Sequence, residues 1–274
     1  MSLVYAGICC HAPGITSRPE AADPKLLAQL HAAFERQRKA IESANTDAII
    51  VVSSEHFATF FMNNMPTFSI GLADSYEGPI ENPDWLNIPY TTVPANPELS
   101  LKIIQEVMKT VDVGYAQEWK FDHGMSVPLH FLTPNYDIPI IPVNINCQAP
   151  PITPLHRAWE LGKALRRAID AVPERIALIS TGGTSHWPCT PDSGKINLEW
   201  DKEFIDHILH TRKTDLLSYD DTTAYKDCGQ GAFEMRTSIC VAGACEGETG
   251  ETWFLEPIPQ FATTCVIATL YSAS

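Results

Sequence analysis

The sequence predicts a single α/β domain over residues 1–274, a central mixed sheet with helices on both faces. Three observations carry this. Apolar runs at Leu3–Ile8, Ala48–Val52 and Ile176–Ser180 each end in polar or turn-forming residues, as buried strands do. Stretches of helical period separate them. No repeat, low-complexity segment or linker divides the chain, and 45% hydrophobic residues are enough for one large core.

Leu3–Ile8 reads as the first strand. Asp23 caps the next helix and Pro24 takes its first position, where the missing N–H costs nothing. Leu26, Leu27, Leu30, Phe34 and Ile41 form its apolar stripe, and Ala48–Val52 completes a βαβ unit. Thr67–Leu72 reads as a strand. The segment 74–94 is rich in Pro, Asn and Asp and reads as a long surface loop, a lid or an oligomer contact. Asn96-Pro97 opens a helix with Leu99, Ile103, Ile104 and Val107 inward. Ile138–Ile145 is strand-like, but Pro139 and Pro142 push it toward an edge or an irregular strand. Thr153-Pro154 starts a helix that runs to about Ala171, and Ile176–Ser180 is a buried strand ending at Gly182-Gly183. Leu198–Thr211 is an amphipathic helix, Asp215–Gly229 reads as polar loops, and Ala232–Ala244 as a short apolar helix. Thr252–Leu255 and Thr264–Leu270 are two late strands.

Composition excludes some functions. Lys+Arg number 19 against 33 Asp+Glu, a net charge of −14 with no basic run, which argues against nucleic-acid binding. No apolar stretch reaches the ~18 residues of a membrane span. The start has no basic region leading into an apolar one, so no signal peptide is expected. The 8 cysteines lack C-x-x-C spacing and read as reduced thiols of a cytoplasmic protein.

Three histidines follow the apolar runs: His11 in Cys10-His11-Ala12-Pro13, His56 in Ser54-Glu55-His56-Phe57, and His186 after Gly182-Gly183-Thr184-Ser185. Ligands of open α/β sheets gather at the carboxyl ends of strands, so imidazoles distant in sequence meet there. His11 and His56 follow the first two strands, whose ends lie side by side in a right-handed βαβ unit. Two imidazoles and a carboxylate make a facial triad with open positions. Glu234, a carboxylate with apolar neighbours at a helix start, is the candidate third ligand, although acidic residues are also common there for the helix dipole alone. Of Cys9 and Cys10 at most one faces the site, and core packing is the simpler role. His123 in Asp122-His123-Gly124 is ambiguous by itself. His31, His130, His156, His207 and His210 fall on predicted helices and read as structural or solvated.

These segments in their order resemble the class III extradiol ring-cleavage dioxygenases, and most of all the catalytic subunit of the protocatechuate 4,5-dioxygenase type. The likeness rests on His-x-Pro at His11, Glu55-His56, Asp122-His123-Gly124 with Val127-Pro128-Leu129, and Gly182-Gly183-Thr184-Ser185-His186. It also rests on Gly194-Lys195-Ile196-Asn197 with Trp200-Asp201, and on Phe233-Glu234-Met235 before Ala242-Gly243-Ala244. The resemblance implies that His11, His56 and Glu234 hold Fe(II), that His186 is the acid/base residue, and that His123 sits beside substrate and oxygen. It implies O2-dependent opening of a protocatechuate- or gallate-like catechol by a homo-oligomer, with or without a small helical accessory subunit. Glu55 stands where the family usually has Asp, and Trp187 where it often has Gln; one bears on the metal's outer hydrogen bonds, the other on the pocket wall. Arg18, Lys195 and Arg236 are candidate cations for a carboxylate on the ring. An aminophenol or hydroxypyridine substrate, a zinc hydrolase using the same His-His-Glu set, and a binding module on the same fold are the competing readings.

Overall fold

The computed structural model describes residues 2–54 and 56–273. Glu55 therefore lies outside the described residues, and with it the expectation placed on that position.

The chain opens with β1 (Leu3–Cys9), a single helical turn α1 (Gly14–Ser17) and the long α2 (Pro24–Ser43). Asp23 caps α2 as predicted, accepting from Lys25 N and Leu26 N. β2 (Ala48–Ser53) and β3 (Phe68–Gly71) follow. Then come β4 (Ser75–Gly78), α3 (Pro83–Leu86), β5 (Thr91–Pro94), α4 (Pro97–Val107) and β6 (Gly114–Ala116). α5 (His123–Leu132), β7 (Ile140–Ile145), α6 (Leu155–Asp170) and β8 (Ile176–Thr181) complete the core. α7 (Leu198–Leu209), α8 (Lys213–Ser218), α9 (Asp221–Cys228) and α10 (Met235–Ala244) lead to β9 (Glu251–Ile258) and β10 (Thr263–Ser272).

Eight strands form one mixed sheet in the order β6-β3-β7-β2-β8-β1-β10-β9. β7, β2, β8 and β1 are parallel neighbours, so their carboxyl ends share one edge. Alternate residues of each strand serve opposite faces. Ala48, Ile50 and Val52 of β2 join the core under α4, α6 and α10, while Ile49 and Val51 join the one under α2 and α5. These four strands read as unbroken apolar runs because both faces are covered.

Four expectations are corrected. β1 and β2 are not adjacent, because β8 lies between them and pairs with both. Strand order depends on long-range pairing, which the spacing of a βαβ unit does not encode. Segment 74–94 is not a plain loop: β4 and β5 pair into a small hairpin-like sheet, with Tyr76, Leu86, Ile88 and Val93 buried. β7 is internal despite Pro142, with Pro139 falling just before it; Pro142 stands against Gly71, the last residue of β3, where the absent side chain leaves room for its ring. Residues 215–229 carry most of α8 and α9, each held down by one or two apolar side chains, Leu216 in the first and Ala224 and Cys228 in the second. Asp220 caps α9 by accepting from Thr223 N.

α6 and α10 cross in close contact. A Cβ on Gly162 would run into the Cys240 carbonyl, and one on Gly243 would come within 2.5 Å of the Trp159 carbonyl oxygen. Backbone on the far side cannot swing away as a side chain could. Gly162→Ala should therefore destabilise the fold by about 3 kcal/mol, the upper end for overpacking, read as a lower urea midpoint at unchanged slope.

Candidate metal centre

Each parallel strand delivers a polar group just past its carboxyl end: His11 after β1, His56 after β2, Gly183 and His186 after β8, and Gln148 after β7. Glu234 reaches the same point from the other side, at the end of a 3-10 turn (Gln230–Glu234) that runs into α10. Its carboxylate is 1% exposed. His56 Nε2 lies 3.0 Å from Glu234 Oε1, and His11 Nε2 lies 3.4 Å from Glu234 Oε2. Gly183 N donates to Oε2 at 2.7 Å and Gln148 Nε2 to Oε1 at 3.3 Å. Burial favours the neutral acid, but His11, His56 and His186 outweigh it and hold the Glu234 pKa well below the usual carboxylate range.

The rings are oriented by their second nitrogens. His11 Nδ1 donates to Thr181 Oγ1 at 3.2 Å, and that hydroxyl lies 2.9 Å from both the Gly124 carbonyl, which can only accept its one hydrogen, and Ser53 Oγ. One threonine at the end of β8 thus ties β1, β2 and α5 together. His56 Nδ1 and its backbone N both donate to Asp122 Oδ2, each at 2.9 Å. Burial lowers the His56 pKa, but Asp122 and Glu234 override it and raise it well above the ordinary value. At His11 burial prevails over Glu234 and the shift is downward. His123, the first residue of α5, donates from Nδ1 to Glu81 Oε1 at 2.7 Å and from its backbone N to the same oxygen at 2.9 Å. Its ring lies 4.2 Å from that of His56 and 5.6 Å from that of His11, between centroids. His11, His56 and His123 each offer a nitrogen within 4.8 Å of the other two, a group able to hold a metal ion.

His186 sits on a separate seat. Its Nδ1 donates to the Thr184 carbonyl at 2.9 Å, and a carbonyl can only accept. The neutral ring therefore carries its hydrogen on Nδ1 and turns a bare Nε2 inward, 3.9 Å from Glu234 Oε2. Gly183 and Gly231 flank the ring so closely that a Cβ on either would strike it, which accounts for the glycine before the turn. Asp201 of α7 anchors the preceding residue, accepting from Ser185 N at 2.6 Å and Ser185 Oγ at 2.8 Å, and also from Thr264 Oγ1 at 2.5 Å.

A cavity of about 620 Å³ opens over these groups, lined by His11, His56, His123, His186 and Glu234 together with Cys10, Arg18, Phe57 and Trp85. All five residues singled out in the sequence therefore face one space. Cys10 lines it, and Cys9 packs in the core. Trp187 is not in the lining and packs toward Gly229. Of the three candidate cations only Arg18 reaches the cavity. Lys195 pairs with Asp192 at 2.6 Å, and Arg236 is fully buried with both Asp221 oxygens at 2.7 Å. None of the five histidines expected on helices lines the cavity; His210 falls just past the end of α7. Sequence reasoning missed Glu81, Thr181, Gln148 and the role of Asp122. Asp122 read as a turn residue beside His123, whereas it serves His56, 66 positions away. Glu81 carries no local signal, since the hairpin that brings it to His123 was read as a loop.

A buried carboxylate facing two imidazoles, on an open cavity at the carboxyl edge of parallel strands, defines a fold and site of the metal-dependent α/β enzyme type. Residues 5–267 match the family described as the catalytic LigB subunit of aromatic ring-opening dioxygenase, and the chain belongs to that family. It is thus an extradiol ring-cleavage dioxygenase. Similar proteins include 2,3-dihydroxyphenylpropionate/2,3-dihydroxicinnamic acid 1,2-dioxygenases. That of Paraburkholderia xenovorans (strain LB400) is 27% identical, over 87% of this chain and 89% of the relative. That of Mycolicibacterium vanbaalenii (strain DSM 7251) is 26% identical, over 98% of this chain and 100% of the relative. The crystal structure of an uncharacterized protein, JW3007, from Escherichia coli K12 shares the fold with a TM-score of 0.61 at 16% identity, over 98% of this chain and 100% of that one. No helix among the described residues is long and apolar enough to cross a membrane.

The Asp201 carboxyl is pushed up to about 6 by burial, despite the Thr264 and Ser185 donors and the nearby His186. In the unfolded chain it titrates near 3.9. Between those values the folded state keeps a proton that the unfolded chain has lost. The resulting stability is complete below about pH 4 and disappears as pH rises through 6, on the order of 2–3 kcal/mol in all. Asp201→Asn should abolish that part of the slope. Urea unfolding at pH 5 and pH 7.5 should show the wild type losing stability relative to the variant across the interval.

Proposed function

We propose that this chain opens the ring of a catechol-type substrate with O2, using Fe(II) held by His11, His56 and Glu234, and that residues 1–274 act as one catalytic unit. The observation that carries the reading is the contact of Glu234 with both His11 Nε2 and His56 Nε2, at 3.4 and 3.0 Å. Two imidazole nitrogens and a carboxylate oxygen this close are the donor set of a non-haem ferrous site with open positions. His123 also lies within reach of the two rings. A three-histidine site, however, would leave the buried Glu234 charge beside the metal with no role, and such a charge needs a partner. When bound, ferrous iron supplies the redox link between an electron-rich ring and O2.

The chain's own residues supply the proton handling and the shape. His186 Nε2, bare in the neutral tautomer, takes the proton of a ring hydroxyl and returns one to the oxygen that leaves as the ring opens. His123, with Nδ1 committed to Glu81, presents Nε2 to substrate and oxygen. Asp122 and Thr181 hold the rings of His56 and His11 in the tautomer a metal needs. The names of the relatives, which specify a 2,3-dihydroxylated ring, support two adjacent hydroxyls.

Metal content after anaerobic loading tests the ligand set. Glu234→Ala should lose stoichiometric iron, whereas His123→Phe should keep it; the reverse result would make the three histidines the site. His186→Phe should keep iron while turnover of catechol falls by about 10²–10⁴, the usual worth of a positioned acid/base group. The reading as a whole is checked by oxygen uptake with a panel of catechols, aminophenols and gallates. Product formed under argon by the zinc-loaded protein would replace the dioxygenase with a hydrolase.

A further inference from the structure

We infer that Arg18 is the residue that selects the substrate, by pairing with a carboxylate carried on a side chain of the catechol rather than on the ring itself. This rests on the catechol reading above and deepens it. Three observations converge. Arg18 is the only lysine or arginine among the described residues that line the cavity. Its guanidinium makes no ion pair or hydrogen bond with another described residue, in contrast to Lys195 and Arg236. It stands at the exposed rim, while His11 and Glu234, at 6% and 1% exposure, form the floor.

The position of Arg18 is set by the backbone. Its N–H caps the end of α1 by donating to the carbonyl of Gly14, the first residue of that turn, and its carbonyl accepts from Ala21 N in the next 3-10 turn. α1 is itself fixed on both sides. Gly14 lies so close to Phe261 that a Cβ would come to 2.6 Å of its ring, and Asn87 Nδ2 donates to the Thr16 carbonyl. The backbone of Arg18 is therefore tied to α1 and to the turn that follows, and its side chain lines the cavity together with Trp85.

The net charge of −14 gives anions no long-range help, so an anionic substrate needs a local cation. Arg18 supplies one, in the planar fork that suits a carboxylate. A diol held on the floor places its ring deep in the cavity. A carboxylate fixed to the ring would stay with it, whereas one on a short chain reaches the rim. A cavity of about 620 Å³ has room for both ring and chain.

The test compares acid and amide. Iron-loaded protein is assayed with catechol, with 3-(2,3-dihydroxyphenyl)propionate and 3-(3,4-dihydroxyphenyl)propionate, with the two corresponding carboxamides, and with protocatechuate. Each is followed by oxygen uptake, and anaerobic calorimetry gives dissociation constants independent of turnover. For at least one of the two chain isomers, wild type should prefer the acid over its amide in kcat/KM. Arg18→Met should reduce that preference by about tenfold, a figure between an exposed pair and a desolvated one. Arg18→Lys should restore part of it, and the wild-type preference should shrink with added salt. Lys195→Met, which removes a cation outside the cavity, should leave the ratio as it was. An acid-to-amide ratio unaffected by Arg18→Met in both kinetics and calorimetry overturns the inference, as does a larger Arg18→Met loss on protocatechuate than on either chain acid. No oxygen uptake with any catechol would instead overturn the dioxygenase reading.

Discussion

The site depends on one carboxylate, that of Glu234, which is almost wholly buried. An isolated ion in such a place costs several kcal/mol after relaxation, so Glu234 persists only because cationic or donor groups converge on it. The convergence is built by topology. β7, β2, β8 and β1 run parallel and end at one edge, so Gln148, His56, Gly183 and His11 approach from one side while the 3-10 turn before α10 brings Glu234 from the other. None of these groups is close to another in sequence except through that sheet.

The outer ring of partners decides what each imidazole can do. Thr181, Asp122, Glu81 and the Thr184 carbonyl each take one N–H, and each thereby fixes which nitrogen faces the cavity. The partners differ in kind. At His56 the charged Asp122 joins Glu234 in outweighing burial and raises the pKa well above the ordinary value, whereas at His11, whose second nitrogen meets only a threonine hydroxyl, burial prevails and the shift is downward. Four histidines of one residue type thus acquire different chemistry from second atoms that never touch substrate. The glycines around His186 act by exclusion, since any side chain at 183 or 231 would take the space of the ring.

Depth separates chemistry from recognition. The floor is buried, polar and crowded with paired groups, and the rim carries Arg18, Phe57 and Trp85 in contact with solvent. The rim is built from α1, α3 and the residues after β2, elements that contribute little to the main sheet. Such elements can vary without disturbing the strand ends that hold the floor.

Local patterns in the sequence determined the long buried strands, the capped helices and the candidates His11, His56, His186 and Glu234, because each carries its own signal: an apolar run, Asp23-Pro24, Asn96-Pro97, a histidine just past a strand, or a carboxylate among apolar neighbours at a helix start. His123 was ambiguous by itself and came only from the family resemblance. The family followed from the order of those signals. The helical character of 215–229 and the hairpin of 74–94 were not legible, because a few buried side chains, not a periodic stripe, hold them. Strand order, the insertion of β8 between β1 and β2, and the internal place of β7 were decided only by the tertiary structure, since hydrogen bonding between strands is blind to sequence distance. The same holds for Glu81 on His123 and Asp122 on His56. A carboxylate shows its charge in the sequence, but which imidazole it serves is a matter of where the folded backbone puts it.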